Sequence, residues 1–239
     1  ELYRNYDCVL QTGGSDQWGN LTSGTDLIHR AVGKSVHAIG TPLITNSDGT
    51  KFGKSEGNAV WLDASMTSPY AFYQFWLNTD DADVIDRIKV FTFLTRAEID
   101  ELAQQVADEP FKRAAQRRLA FEVTSLVHGE AATQAAIAAA AALFGQGELA
   151  ELDSATLEAA LRELPHTTTP ANTPVAQLLV DTGLSQSLGA ARRSIAEGGV
   201  YLNNEKIAAE DELLDSHVLP SKMAVLRRGK KTLAGVFVE

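Results

Sequence analysis

Apolar positions divide the chain into three stretches with different periods. In the first, residues 8 to 12 read as a short buried strand that runs into Gly13-Gly14. Leu21, Leu27, Ile28 and Val32 then recur at helical spacing, and Gly33 suits the position just past a helix end. Val36 to Ile39 reads as a second strand. Strand, glycine turn, helix and strand predict a βαβ unit with parallel strands, whose ligand side is the turn after the first strand. Residues 45 to 58 are rich in Gly, Ser, Thr, Asn and Lys and read as a loop.

The second stretch is helical throughout. Pro69 suits the first turn of a helix that carries Tyr70, Phe72, Tyr73, Phe75 and Trp76. Thr95-Arg96-Ala97-Glu98 has the form of a capping box ahead of Ile99, Leu102 and Val106. Phe111, Ala115, Leu119, Val123 and Leu126 outline another apolar face. The alanine-rich run from Ala131 to Leu143 predicts a helix ending near Gly145, and Leu157, Ala160, Leu161 and Leu164 continue the pattern.

Periodicity stops at His166-Thr167-Thr168-Thr169-Pro170-Ala171-Asn172-Thr173-Pro174, which reads as a linker. Beyond it two short helices are predicted, about 175–182 and 187–197, with Thr173 capping the first and Pro174 at its first position. Val200-Tyr201-Leu202, a tight turn at Asn203-Asn204, Lys206-Ile207, Ala224-Val225-Leu226 and Leu233 to Val238 predict strands. The expected organisation is α/β for residues 1–59, all-α for 60–164, linker for 165–173 and a small α+β domain for 174–239.

Composition narrows the classes. The 239 residues are 44% hydrophobic, and no apolar run reaches the eighteen or so residues of a membrane span. A net charge of -10 makes any nucleic-acid contact local, and reads otherwise as a soluble cytosolic protein. Cys8 is the single cysteine and is expected as a buried, inert strand thiol; no disulfide or thiolate metal site can be built from it. His29, His37, His128, His166 and His217 have no ligand-like spacing, so no protein-bound metal is predicted. The start, Glu1-Leu2-Tyr3, has no initiator methionine, and the chain is expected to be the C-terminal portion of a longer protein.

Candidate chemistry sits at three places. At the first turn, Gly13 and Gly14 open a helix whose N-terminus favours anionic or polar ligands; Asp16 can accept ribose hydroxyls, and Gln11 and Gln17 can hold a small polar substrate. In Ser47-Asp48-Gly49-Thr50-Lys51-Phe52-Gly53-Lys54-Ser55, two lysines three residues apart can meet a polyphosphate, with Thr50 and Ser55 as further donors. Donors aimed at charge that grows in a transition state are a large catalytic contribution. The third place is basic: Arg192 and Arg193 on a helix, with Arg227, Arg228, Lys230 and Lys231 on the last strand pair. Taken singly, each admits a plainer reading: a helix-capping Asp16, a solvated lysine loop, a solvated basic face.

Together the motifs resemble the bacterial tyrosyl-tRNA synthetases, class I aminoacyl-tRNA synthetases. The resemblance rests on Leu10-Gln11-Thr12-Gly13-Gly14-Ser15-Asp16-Gln17-Trp18-Gly19-Asn20 and Asp48-Gly49-Thr50-Lys51-Phe52-Gly53-Lys54-Ser55, and extends through Ser68 to Trp76 and Val127-His128-Gly129. Lys51 to Ser55 is similar to the second class I signature, KMSKS, often KFGK[ST] in this family. Ser187 to Lys206 looks like an S4 RNA-binding module.

The resemblance implies a partial Rossmann-like catalytic domain, a helical anticodon-side domain and an S4-like domain gripping the long variable arm of the tRNA. It implies activation of L-tyrosine by ATP with Mg²⁺ to tyrosyl-adenylate, transfer to the 3′ end of tRNA(Tyr), and a cytoplasmic homodimer. Gly14 and Asp16 would hold ribose; Lys51, Phe52, Gly53, Lys54 and Ser55 would form the phosphate loop, with Lys51 and Lys54 catalytic; Gln11 and Gln17 would line the tyrosine pocket.

Three departures stand out. The first class I signature, HIGH, is absent, so this chain alone is expected to be inactive. Leu188-Gly189 replaces a basic residue common after the serine matching Ser187, and Asn203-Asn204 replaces the usual Asn-Gly turn.

Overall fold

The computed structural model describes residues 1–50, 52, 60–229 and 232–239. They form two compact units, Glu1–Ala59 and Val60–Glu239.

The first unit begins with a short helix, α1 (Leu2–Tyr6), ended by Asp7 in the left-handed region. Strand β1 (Leu10–Gly14) leads through a 3₁₀ turn, Ser15–Gln17, into helix α2 (Trp18–Val32), and β2 (His37–Thr41) returns parallel to β1. The βαβ unit is thus present, with both strands shifted downstream of their expected limits. Pairing is the reason: the register joins Leu10 to His37 and Gly14 to Thr41, carrying the ladder through the glycines that the apolar pattern assigned to a turn. Gly33 ends α2 at φ 66°, donating its N–H to the His29 carbonyl.

Two expectations need correction. The first strand is not buried: Val9 and Leu10 are about half exposed, as is Ile39 on β2, while Leu21 of α2 is buried. Cys8 lies just before β1 rather than in it; its thiol is half-buried and donates to the Leu10 carbonyl.

The second unit opens with helices α3 (Pro69–Leu77), α4 (Asp81–Phe91), α5 (Arg96–Asp108), α6 (Ala114–His128), α7 (Glu130–Leu143) and α8 (Ser154–Arg162). Helix α3 starts where the Ser68 hydroxyl accepts the Ala71 N–H, and it buries Tyr70, Phe72, Tyr73 and Trp76 against α6 and α7. His128, at the end of α6, meets the Phe72 ring edge-on at 4.8 Å; burial holds its pKa below the ordinary value. Helix α5 carries the expected capping box, Thr95 accepting from the Glu98 N–H and the Glu98 carboxylate accepting from the Thr95 N–H.

The remaining strands are β3 (His166–Thr169), β4 (Val200–Leu202), β5 (Glu205–Lys206), β6 (Met223–Arg228) and β7 (Thr232–Val238), in the order β3-β7-β6-β4-β5. One face of this sheet packs on helices α9 (Val175–Asp181) and α10 (Leu188–Ala196): Leu178, Ala191 and Ile195 share a core with Val200, Leu202, Leu226 and Val236.

The segment expected as a linker contains strand β3, which pairs in parallel with β7 from His166↔Gly235 to Thr169↔Val238. A threonine run is β-branched and strand-compatible despite its polarity. The pairing partner lies some seventy residues away, so no local pattern announces it. Gly235 makes the approach possible. A Cβ there would lie 2.9 Å from the Leu161 Cβ and 3.0 Å from the Leu161 carbonyl oxygen on α8. Thr173 does not cap α9 either. Its hydroxyl donates to the Pro170 carbonyl and pairs with Thr169, while Pro174 occupies the cap position.

Candidate active site and RNA-contact surface

The first site forms where β1 ends. Gly14 has ordinary extended dihedrals, φ -67° and ψ 160°, so backbone freedom does not require a glycine. Space does. A Cβ on Gly14 would lie 2.8 Å from Asp16 Oδ1 and 3.0 Å from Leu43 Cδ2. The Asp16 carboxylate therefore folds back over Gly14, at the end of a parallel strand and in front of a helix start. That location suits hydroxyl and phosphate groups, because free backbone N–H groups and the helix dipole point there. Gly13 and Gly14 are tied into the unit by the Thr41 hydroxyl, which donates to the Gly13 carbonyl at 3.3 Å.

The two glutamines separate. The side-chain oxygen of Gln11 lies 3.0 Å from where a Cβ on Gly24 would stand, and Gln11 lines a cavity of about 440 Å³ with Leu10, Gly24, Thr25, Ile28 and His37. Gln17 does not line that cavity. It stands at the head of α2, its side-chain oxygen accepting from Asn20 Nδ2 at 2.8 Å. Gly24, which lines this cavity beside Gln11, was not singled out from the sequence. The available signal was a glycine in a helix interior, which costs about 1 kcal/mol relative to alanine and calls for a packing reason.

The approach to the lysine loop is a tight turn. Asn46 N–H donates to the Thr50 carbonyl at 2.8 Å and Phe52 N–H to the Ile44 carbonyl at 3.1 Å. The Asp48 carboxylate accepts from the Thr50 hydroxyl and N–H, and these bonds hold its pKa below the ordinary 3.8. Gly49 takes φ 83°. Phe52 is half-buried. Lys51, Gly53, Lys54 and Ser55 lie outside the described residues, as do Lys230 and Lys231 of the basic surface.

Among the described residues the candidate arginines lie on two elements, α10 and β6. Ser187 caps α10 by accepting the Ala190 N–H, and Arg192 and Arg193 on that helix are exposed. Arg192 borders a groove of about 540 Å³ whose walls include Pro174, Leu188 and Leu213, with Glu210 and Asp211 also at its edge. Neighbouring residues on β6 face opposite sides of the sheet. Arg227 lies over the Tyr201 ring, its guanidinium carbon 4.2 Å from the centroid. Arg228 instead donates to the Leu184 carbonyl in the connection before α10. Both have internal partners, although Arg228, like Arg192 and Arg193, is exposed. Among the described residues no cluster of His, Cys, Asp and Glu could hold a metal ion, and no helix is long and apolar enough to cross a membrane.

A family model described as tRNA synthetases class I (W and Y) matches residues 1–145, from the glycine turn through the helical segment. The chain belongs to this family. A second model, the tyrosine–tRNA ligase SYY-like C-terminal domain, matches residues 156–235. Over its whole length the chain is similar to two proteins named tyrosine–tRNA ligase: one from Leifsonia xyli, 68% identical, and one from Streptomyces avermitilis, 60% identical. It spans 54% and 57% of their lengths, so about half of each relative has no counterpart here. The match to the C-terminal model begins inside α8, ahead of β3.

Proposed function

We propose that this chain supplies the second half of the catalytic domain, the helical domain and the tRNA-contacting domain of a tyrosine–tRNA ligase. Identity of 68% along the whole chain to a protein of that name carries the reading. The turn at Gly14 supports it, because the room left by the missing side chain lets the Asp16 carboxylate fold over the strand end, where it can accept hydroxyls of a nucleotide's ribose.

In the proposed reaction a carboxylate oxygen of tyrosine attacks the α-phosphorus of ATP, and the bond to pyrophosphate breaks. A hydroxyl at the 3′ end of tRNA(Tyr) then attacks the activated carbonyl, loses its proton, and AMP departs. Asp16 orients the ribose. Gln11 lines the tyrosine pocket and Gln17 holds the substrate from the head of α2. Lys51 and Lys54, with Phe52, Gly53 and Ser55, close on the phosphates and offset the negative charge that grows on departing pyrophosphate. Mg²⁺ enters with ATP and screens phosphate charge. The cytoplasmic homodimer is the setting that the family resemblance implies.

The test uses full-length protein of the relatives' length. Tyrosine-dependent ATP–pyrophosphate exchange is expected, with none for tryptophan. Lys54→Ala should lower the exchange rate by about 10²–10³ while leaving tyrosine binding near the parent value. Equal exchange rates in variant and parent would remove Lys54 from the mechanism; exchange with tryptophan instead would move the protein to the other branch of the family.

A further inference from the structure

We propose that Asn204 is a positioning residue that locks the orientation of the C-terminal sheet against the helical segment, and with it the placement of Arg192 and Arg193 on tRNA. This rests on the tRNA-ligase reading for its functional consequence, but not for the geometry.

The starting point is a locally unfavourable residue. The β4–β5 connection places Asn203 at φ 49° and Asn204 at φ 68°. Two-residue hairpin turns of this kind favour Asn-Gly, because glycine takes the second position at the least cost and asparagine at more. A second asparagine breaks that preference and calls for a compensating contact. The contact is distant in sequence: Asn204 Nδ2 donates to the Ala142 carbonyl at 2.9 Å. Ala142 lies in the last turn of α7, where its carbonyl also accepts the Gly145 N–H at 3.0 Å, so Asn204 adds a second donor from another element. Gly145, at φ 78°, lies beside the contact: a Cβ there would stand 3.5 Å from Asn204 Oδ1, an ordinary packing distance.

The turn cannot shift by itself. Asn203 exchanges hydrogen bonds with Val225 of β6, backbone N–H to carbonyl at 2.8 Å and Val225 N–H to Asn203 Oδ1 at 2.7 Å. The Asn203 amide also donates to the His217 carbonyl. His217 in turn pairs with Glu212 at 2.7 Å and faces Glu205 of β5 at 3.7 Å. Strand β4 shares its core with α10 through Val200, Leu202, Ala191 and Ile195. A displacement of the turn therefore carries α10 and its arginines with it.

Two of the sheet's ties lie at opposite edges. Near the β3 edge, Gly235 of β7 seats Leu161 of α8, and Arg162 lies 5.0 Å over the Phe237 ring. Asn204 holds the opposite edge, beside β5. One tie acts as a pivot; a second at the far edge stops rotation about it. On a tRNA that spans the helical and C-terminal parts, that fixed angle sets whether both can engage together.

Asn204→Gly tests this, because glycine suits the turn and keeps the fold while removing the donor. In a Cys8→Ser background, spin labels at exposed Gln134 on α7 and Ala196 on α10 report the angle by electron–electron distance measurement. The variant should broaden the distance distribution. It should also raise KM for tRNA about three- to tenfold, the range of one lost hydrogen bond, with kcat and tyrosine-dependent pyrophosphate exchange unchanged. A second variant, Asn204→Asp, replaces the donor with an acceptor facing the Ala142 carbonyl and should do the same. An unchanged distance distribution in Asn204→Gly overturns the lock. A broadened distribution with unchanged tRNA KM, in a parent that charges tRNA, overturns its functional role. A parent that charges no tRNA overturns the ligase reading, and the distance measurement still decides the lock.

Discussion

Gly14 and Asp16 illustrate how a single missing methyl group builds a site. The backbone at Gly14 is one that any residue adopts, so the glycine is there for room. Gly14→Ala would put its Cβ within 2.8 Å of the Asp16 carboxylate oxygen, inside contact distance, with Leu43 closing the other side at 3.0 Å. Asp16 must rotate away, because the opposing wall is also occupied. On the proposed function, the variant in the full-length ligase should raise KM for ATP by roughly ten- to a hundredfold, the range of losing a charge-assisted hydrogen-bond pair. Tyrosine binding, measured at equilibrium without ATP, should change little. If KM for both substrates rose together, the effect would be collapse of the whole turn rather than displacement of Asp16.

At the scale of elements, helix starts depend on side chains whose ionisation matters. Thr95 hydrogen bonds hold the Glu98 carboxyl below its ordinary 4.5, and Thr156 holds Asp153, the cap of α8, below its ordinary 3.8. Both groups have depressed folded-state values. Their contribution is therefore complete above the ordinary values and is lost as pH falls below about 4.5 through the lowered ones. Asn is an equally good cap without the charge. Glu98→Gln with Asp153→Asn should thus melt near the parent at pH 7, and the parent's advantage at pH 5 over pH 3 should shrink in the double variant. Identical pH slopes would show that other carboxylates dominate acid unfolding.

The α5 start was legible in sequence because a capping box uses residues three apart, whereas the Asp153 cap of α8 came only with the structure. The Gly33 stop and the aromatic face of α3 were legible for the same local reason. Strand β3 was not, since Thr167 and Thr168 acquire their partners only from Val236 and Phe237. Nor was the seat that Gly24 gives Gln11, or the turning of Arg227 and Arg228 to opposite sides: both depend on which surface an element presents, which spacing alone leaves open.

For the whole molecule, charge poses the sharpest question. A chain with net charge -10 repels RNA on average, so affinity must come from a few cations with nothing nearer to bind. Arg228, though exposed, donates to the Leu184 carbonyl and Arg227 covers the Tyr201 ring, whereas Arg192 and Arg193 are exposed on α10. Each lysine or arginine that neutralises a phosphate contributes about one to the slope of log affinity against log salt. Arg193→Ala should therefore flatten that slope for tRNA by about one, measured by filter binding across a salt series. Arg228→Ala should leave the slope nearly intact and lower the melting temperature instead, because it strips a partner from the Leu184 carbonyl. Arg192 falls between them: Glu210 and Asp211 border the same groove, so its removal should change the slope less than loss of Arg193. A drop confined to Arg228→Ala would mean that RNA binding pulls this arginine off Leu184, and would place the phosphate track along β6 rather than along α10.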